Sequence, residues 1–358
     1  MVTMLDCIRR VPKLLDAIRL TRSQTMEQVL SVYPVQNINE ICLIGSGTSY
    51  TSASTAQYVM EKYAGMRVSV MLPNEFLHAR SYRNPNALHV FISQTGTSSA
   101  LLEALDLCAA NGLMNAVMSE KADTPAARKA SAFISMGCGH EEYGMRTIGY
   151  STAVCSLMML GISIGAARGM VDQETLTALD NQLQAAIASI PDVIERALHW
   201  MDTSRRKIMR SRFIAFTGVG TLYGVAMEGA VKVWEAPQFP SAGYELDEGM
   251  HGPNYGYNDN DAVIILNDGA KGTEKALALA RYMKNEHDNG YIFGLGAIDE
   301  KDLEFTPVGG DFCCLEFAAA VQTFMYRLAV DGGRDFSIRG VHAVMNSYFD
   351  SHRKADAT

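Results

Sequence analysis

This sequence has no C-x-x-C motif, no apolar run of membrane-spanning length and no N-terminus that resembles a signal peptide. The seven cysteines are scattered, odd in number and without a C-x-x-C pair, which disfavours a disulfide framework and predicts buried thiols in a reducing cytoplasm. No uncharged apolar run reaches about 18 residues. The nearest, IGYSTAVCSLMMLGISIGAA at 148–167, contains Ser, Thr and Tyr, so we expect a buried helix there and no membrane segment. The N-terminal stretch carries charges among its apolar residues, so a signal peptide is not expected.

Signals for nucleic-acid, metal and nucleotide binding are also missing. The chain carries 31 Lys and Arg against 39 Asp and Glu, a net charge of −8, which disfavours a nucleic-acid partner. The eight histidines are dispersed and H-E-x-x-H does not occur, so a metal site is not expected. G-x-x-x-x-G-K-[ST] does not occur either. Gly45 and Gly47 lack the third glycine of a dinucleotide fingerprint, because position 50 is Tyr.

The 358 residues instead contain one pattern twice. Short apolar runs, small-residue turns and helical stretches alternate over about 35–165 and again over about 208–335. Strands alternating with helices at this spacing are typical of βαβ units, so we predict an α/β protein with two parallel sheets, each flanked by helices. The predicted organisation is an N-terminal helical segment at 1–34, a first unit at 35–169, a helical connector at 170–207, a second unit at 208–345 and a tail at 346–358.

Two turns of the first unit combine glycines with hydroxyls and lead into helices. Ligands of open parallel sheets bind beyond the carboxyl ends of the strands, and a helix N-terminus with hydroxyl donors suits a phosphate. Ser and Thr also cap helices without any ligand, but two such turns from one sheet favour an anion site. The two turns are Gly45-Ser46-Gly47-Thr48-Ser49 and Ser93-Gln94-Thr95-Gly96-Thr97-Ser98-Ser99.

A carboxylate stands at the predicted end of a helix in the second unit. Glu228, Lys232 and Glu235 share one helix face, and Pro237 ends the helix near Glu235. A carboxylate in that position faces the negative end of the helix dipole, which predicts a raised pKa and suits a base that works near neutral pH. A frayed, solvated helix end fits the position equally well.

One histidine lies in a loop sixteen residues after Glu235. A lone loop histidine is more often a surface or capping residue than a catalytic one. Gly249, Gly252 and Pro253 restrict the backbone around His251, however, which favours a fixed presentation of its imidazole. Glu235 and His251 are therefore candidates for acid–base chemistry.

Four ordered motifs resemble those of one family. GSGTSY and SQTGTSSALLEAL resemble the two phosphate loops of double SIS (sugar isomerase) domain proteins. AMEGAVKVWE and ELDEGMHGP resemble the family's catalytic helix and its His-Gly-Pro loop. From about residue 35 onward, the chain is similar to the isomerase half of glucosamine-fructose-6-phosphate aminotransferase and to the related sugar-phosphate deglycases and deaminases.

The resemblance implies a fold and a site. The fold is two tandem flavodoxin-like SIS units, the first binding phosphate and the second carrying Glu235 and His251. Glu235 would move a proton between C1 and C2 of an open-chain sugar. His251, in the family often supplied by the neighbouring subunit of a dimer, would open the ring. No metal or organic cofactor is implied. The implied ligands of a sugar 6-phosphate are Thr48, Ser49, Ser93, Gln94, Thr95 and Ser98.

The sequence also departs from the family. Residue 2 is Val rather than the Cys nucleophile of a glutaminase half, so we do not expect the glutamine-dependent synthase. Where the family reads V-A-S-T-K this chain reads MRTIG at 145–149, and Arg146 either meets a second anionic or carbonyl group or forms a surface ion pair. The synthase tail carries a lysine near the sugar, and this tail has Arg339 and His342 in that neighbourhood instead. Further candidate substrate contacts are therefore Gly47, Met145, Arg146 and Arg339.

We accordingly predict an enzyme of amino-sugar or Amadori-type sugar 6-phosphates, in which proton transfer at C1 and C2 leads to C–N cleavage. Plain aldose–ketose isomerisation uses the same base and stays open. A non-catalytic sugar-phosphate sensor is a third reading, although SIS sensors usually carry a DNA-binding helix-turn-helix, and only about 30 residues precede the first unit. The expected partners are the sugar phosphate and a second copy of the chain in a homodimer, with the active site near the subunit interface.

Overall fold

The predicted α/β class with two parallel sheets is confirmed. A computed structural model describes residues 2–336, 345, 348, 349, 351 and 352, with the backbone alone at 22–25. In this part of the chain, two five-stranded sheets form, and every strand pair is parallel. Helices flank both sheets, as expected for tandem flavodoxin-like units.

The first sheet has the strand order β2-β1-β3-β4-β5. Strands β3 and β4 are buried along their whole length, as parallel strands covered on both faces should be. The strands are β1 (Glu40–Ile44), β2 (Arg67–Met71), β3 (Ala87–Ile92), β4 (Asn115–Ser119) and β5 (Ala132–Ser135). The helices that precede, connect and follow them are α1 (Met4–Val32), α2 (Thr48–Ala64), α3 (Ser99–Ala110), α4 (Pro125–Lys129) and α5 (Ile148–Ala167), with a π-helix at Glu75–Ala79 and a 3-10 turn at Val35–Asn37.

The second sheet repeats this order as β7-β6-β8-β9-β10. Its strands are β6 (Phe213–Gly218), β7 (Ser241–Glu245), β8 (Asp261–Asn267), β9 (Gly290–Gly294) and β10 (Leu303–Glu304). Its helices are α6 (Gln173–Ile208), α7 (Thr221–Glu235), α8 (Thr273–His287) and α9 (Cys314–Asp331), and 3-10 turns lie at Glu248–Met250, Pro253–Gly256 and Gly310–Phe312.

By their internal contacts the described residues group into two compact units. The first-sheet unit contains 17–141, 152–177 and the described residues beyond 335. The second-sheet unit contains 2–16, 142–151 and 178–335. The domain boundaries predicted from the sequence stay predictions.

The apolar helix expected at 148–167 is a core helix. Helix α5 covers this stretch, and its residues are almost all buried. Helix α9 is comparably apolar and comparably buried. Each of the seven cysteines is a buried free thiol, as predicted. Both apolar helices therefore belong to the protein core.

Candidate active site

Both sheets have a switch point where the chain's crossovers change direction. In the first sheet it lies between β1 and β3, and in the second between β6 and β8. Ligands of this fold bind in the crevice beyond the carboxyl ends of these neighbouring strands. Ile44 pairs with Phe91 in parallel register, so the loops that follow β1 and β3 emerge at the same edge. The structure thus brings the two predicted phosphate loops together at the first switch point.

The first loop is a glycine turn that leads directly into α2. A Cβ at Gly45 would lie 2.8 Å from Ser49 Cβ, so only glycine fits the tight strand-to-helix turn. Gly47 is the N-cap of α2 with φ +56°, and its missing Cβ faces open space. Within the described residues, no side chain caps this helix. Thr48 and Ser49 therefore begin a helix whose positive end opens beside the switch point.

The second loop is tied to the residues around it. Ser93 and Gln94 are buried, and Gly96 N donates to Ser93 Oγ over 3.1 Å. Thr95 Oγ1 and Thr97 Oγ1 share a hydrogen bond of 2.9 Å. Gln94 Nε2 lies 3.5 Å from Glu141 Oε2, so this side chain is directed at a buried carboxylate. Among the predicted phosphate ligands, Gln94 thus also links the second loop to Glu141.

Residues of the C-terminal tail contact this second loop, which the sequence did not indicate. Ser99 N donates to the Ser351 carbonyl over 3.1 Å, and Ser98 forms an isolated antiparallel bridge with His352. An acceptor from the tail thus occupies a backbone N–H at the start of α3. No local motif in SHRKADAT could have shown this contact.

Helix α7 ends at Glu235, as Pro237 predicted. Lys232 is fully buried in this helix. Its Nζ lies 3.5 Å from Glu228 Oε1 and 2.5 Å from Glu235 Oε2. Glu228 is buried as well, whereas 39% of the Glu235 side chain is exposed. A buried ammonium therefore connects an internal carboxylate to one at the surface.

Lys232 fixes the orientation of the Glu235 side chain. Its Nζ lies 2.5 Å from Glu235 Oε2 and is held by a second contact, at 3.5 Å, with Oε1 of the buried Glu228. Glu235 is thus held in a defined direction, as a catalytic base requires.

His251 is exposed at the end of the 3-10 turn Glu248–Met250. Its Nδ1 lies 2.8 Å from the Asp247 carbonyl oxygen, which can only accept a hydrogen. Nδ1 therefore carries the hydrogen, and Nε2 is the atom left to accept or donate a proton. Gly252, the next residue, has φ +135°, a conformation that glycine adopts readily.

Within one chain, the structure does not bring Glu235 and His251 together. Helix α7 runs back from the carboxyl end of β6, so Glu235 lies at the amino edge of the sheet. Strand β7 then runs parallel to β6, and His251 follows its carboxyl end. The five residues of β7 span roughly 16 Å at the usual rise per residue.

The second switch point has the same glycine turn, but different side chains line its crevice. Gly220 has φ +60° at the start of α7, matching Gly47 at the start of α2. A Cβ at Gly272 would meet Val219 at 2.9 Å and Leu246 at 3.6 Å, so apolar side chains occupy this space. Asp268 follows β8 where hydroxyls follow β3. This crevice does not suit an anion, in contrast to the hydroxyl-rich crevice of the first sheet.

The structure says less about the other residues predicted to contact the substrate. Met145 and Arg146 are half-buried just before α5, in a segment that Gln322 secures by donating to the Thr147 carbonyl over 3.0 Å. Arg339 lies outside the described residues. Among the residues described, no three His, Cys, Asp or Glu side chains are grouped so as to hold a metal ion.

The family model of the SIS domain matches residues 35–163. The chain carries a SIS domain. The matched stretch contains the whole first sheet and both hydroxyl-rich loops. The loops at the first switch point are therefore part of this SIS domain.

A curated relative supports the same relationship. The chain is 27% identical over 232 residues to glutamine–fructose-6-phosphate aminotransferase (isomerizing) of Caulobacter vibrioides. The alignment covers 64% of this chain and 38% of that protein, so the chain spans well under half the length of this relative.

Solved structures with similar folds cover almost the whole chain. A Clostridium difficile 630 protein proposed to be a phosphosugar isomerase has a TM-score of 0.88 and 23% identity, covering 99% of this chain and 100% of that one. The C-terminal domain of glucosamine-fructose-6-phosphate aminotransferase from Francisella tularensis has a TM-score of 0.84 and 20% identity, covering 93% and 96%. Glucosamine-6-phosphate deaminase from Thermotoga maritima has a TM-score of 0.70 and 16% identity, covering 90% and 96%. At these identities the likeness shows a shared fold.

Proposed function

We propose that this SIS-domain protein cleaves the C–N bond of an amino-sugar or Amadori-type sugar 6-phosphate after proton transfer between C1 and C2. The observation that carries the proposal is Glu235, a surface carboxylate held 2.5 Å from the buried ammonium of Lys232. A non-catalytic sensor has no need for a buried ion network that directs one carboxylate outward. Burying such charges is costly, so the arrangement favours a chemical task for Glu235.

The 6-phosphate binds at the first switch point in this proposal. The positive end of α2 and the hydroxyls around it supply hydrogen-bond donors to phosphate oxygens. Gln94 stays among the proposed ligands, and its Nε2, 3.5 Å from Glu141 Oε2, also ties the second loop to Glu141. The remaining proposed ligands are Thr48, Ser49, Ser93, Thr95 and Ser98.

The reaction needs one base and one acid. Glu235 removes the C1 proton of the open-chain aminoketose, giving an enolamine, and returns the proton to C2 to give the imine of the aldose. Water adds to this imine, the C–N bond breaks, and an aldose 6-phosphate and a free amine leave. During ring opening the bare Nε2 of His251 accepts the proton of the anomeric hydroxyl while water protonates the ring oxygen, and the imidazolium so formed later protonates the departing nitrogen.

A second copy of the chain completes the site. Glu235 and His251 lie at opposite edges of their sheet, too far apart to act on one sugar carbon pair. In a homodimer, the partner subunit's His251 can face Glu235 across the substrate. The dimer and the placement of the site near its interface are part of the proposal.

Plain aldose–ketose isomerisation is the second candidate function. It requires the same proton transfer by Glu235 and stops before nitrogen is lost. The similarity to an aminotransferase whose name includes an isomerising activity favours it.

A substrate panel separates these functions. The protein is incubated with glucosamine 6-phosphate, fructose 6-phosphate and a set of 6-phosphorylated Amadori compounds, while free amine and sugar phosphate are both followed. Release of both products from one compound is the expected result. Ketose–aldose exchange without amine would show an isomerase, and binding without turnover across the panel would contradict an enzymatic role on these substrates.

A further inference from the structure

One carboxylate secures the turn that carries His251. Glu245 is the last residue of β7, and its Oε2 accepts hydrogen bonds from Asp247 N at 2.8 Å and Glu248 N at 3.1 Å. These two N–H groups lie at the start of the 3-10 turn Glu248–Met250. Like the first N–H groups of a helix, they have no acceptor within the turn itself, and the Glu245 carboxylate supplies one. Glu245 therefore fixes the turn from the rigid end of a strand.

The secured turn in turn orients the imidazole. The Asp247 carbonyl belongs to the same peptide group as the Glu248 N–H that Glu245 holds. This carbonyl accepts a hydrogen bond from His251 Nδ1 at 2.8 Å. Lys275 Nζ contacts both Asp247 carboxylate oxygens at 2.7 Å, but both side chains are more than half exposed. An exposed ion pair adds little, so the constraint comes from the two hydrogen bonds to Glu245 together with the one from Met250 N to the Asp247 carbonyl at 2.9 Å.

Packing below the turn supports this arrangement. Tyr257 is buried, and burial raises the pKa of its phenol to about 12. It belongs to one apolar cluster with Leu246 and Met250, so the neutral phenol forms part of the base on which the turn rests. The turn is thus held from the strand by Glu245 and from beneath by apolar contacts.

We infer that Glu245 is a positioning residue that sets the tautomer and direction of His251. By fixing the Asp247 carbonyl against Nδ1, it keeps the hydrogen on Nδ1 and leaves Nε2 as the working nitrogen. The inference rests on the proposed function for the part played by His251 in turnover. The tautomer itself is a property of the resting protein and can be measured without any substrate.

Nitrogen NMR of protein labelled with 15N-histidine tests the tautomer directly. Spectra are recorded well above the usual histidine pKa of about 6.5, and the His251 signals are identified by their loss in His251→Gln. We expect a protonated Nδ1 and a bare Nε2, and we expect Glu245→Ala to convert this state into a mixture. A hydrogen on Nε2 in the unmodified protein, or an unchanged tautomer in Glu245→Ala, would overturn the inference.

Kinetics with the panel substrate test the consequence for turnover. Glu245→Ala should lower kcat about 10- to 100-fold, with KM within about twofold, since misdirecting a catalytic group costs this much. Glu245→Gln keeps an oxygen acceptor and should recover part of the loss. Asp172→Ala is the matched control, because Asp172 Oδ1 accepts from Thr175 N at 2.8 Å at the start of a different helix.

Two outcomes of these kinetics would overturn the role of Glu245. One is a kcat of Glu245→Ala equal to that of the control Asp172→Ala. The other is a kcat of Glu245→Gln no higher than that of Glu245→Ala. If Glu245→Ala does not fold, Glu245→Gln replaces it and should shift the tautomer mixture in the same direction to a smaller extent. An inactive panel would leave the NMR result intact, so failure of the proposed function and failure of this inference are distinguishable.

Discussion

At the scale of single residues, Lys232 shows what helical spacing can and cannot indicate. The i, i+4 and i+7 positions of Glu228, Lys232 and Glu235 correctly placed the three charges on one face. The spacing did not show that Glu228 and Lys232 are buried, because burial depends on the elements that pack on α7, among them β6, β7 and α9. Burial makes the cluster a fixed ion network rather than a solvated helix face.

Removal of the ammonium should therefore be costly. Lys232→Met removes the ammonium that lies 3.5 Å from the buried Glu228 carboxylate and should lower the free energy of unfolding by about 3–5 kcal/mol. The measurement is chemical unfolding followed by fluorescence, for Lys232→Met and for the double variant Glu228→Gln, Lys232→Met. The double variant should recover part of the loss, because it also removes the buried negative charge. A loss below about 1 kcal/mol in Lys232→Met would contradict a buried ion network.

At the scale of elements, the glycine turns were predictable because their requirement is local. Where a strand turns directly into a helix, the backbone of the turn approaches the first helical turn so closely that a Cβ does not fit. The G-x-G spacing at 45–47 therefore predicts such a turn. The same spacing at 218–220 gives the same backbone. What fills each crevice depends on side chains from other loops, such as Val219 and Leu246, which the local G-x-G spacing does not indicate.

The matched turns provide an internal control for phosphate binding. Gly47→Ala and Gly220→Ala each introduce a Cβ at positive φ into open space, and each should destabilise the protein by about 1–3 kcal/mol. Only Gly47→Ala should weaken sugar-phosphate binding, since α2 begins beside the hydroxyl-rich crevice. Thermal unfolding and calorimetric titration with the panel substrate measure the two effects. Equal loss of affinity in both variants would contradict a phosphate site at the first switch point.

The order of β6, α7 and β7 also limits what one chain can do. A helix that returns to the amino edge carries its last residue away from the edge where the next strand ends. The opposite positions of Glu235 and His251 thus follow from the predicted βαβ pattern, and the sequence already contained this information. The Ser351–Ser99 contact is different, because no periodicity or motif links the tail to a loop some 250 residues earlier.

At the scale of the whole molecule, the repeat predicted two parallel sheets and the structure confirms them. Both sheets use one strand order, yet the hydroxyls lie at the first switch point while Glu235 and His251 belong to the second sheet. The two units thus share one strand order and carry different candidate site residues, because a fold does not by itself determine what its loops bind.

Mixing two inactive proteins tests whether the site is shared between copies. Glu235→Gln and His251→Ala homodimers are each expected to be inactive. After unfolding and refolding together, mixed dimers contain one site with both wild-type residues, so about a quarter of the unmodified activity should return. His251→Ala refolded with a Glu235→Gln, His251→Ala double variant is the control and should stay inactive. No recovery in mixed dimers would contradict a site formed across subunits.

The most direct measurement of the central claim is amine release by the unmodified protein and by Glu235→Gln on the panel compound that is turned over. The change keeps the shape of the side chain and removes the base, so kcat should fall about 10²- to 10⁴-fold while calorimetry shows unchanged binding. The same change at the exposed Glu286 of α8 is the control and should have no effect. Turnover by Glu235→Gln at the unmodified rate would contradict the assignment of Glu235 as the base.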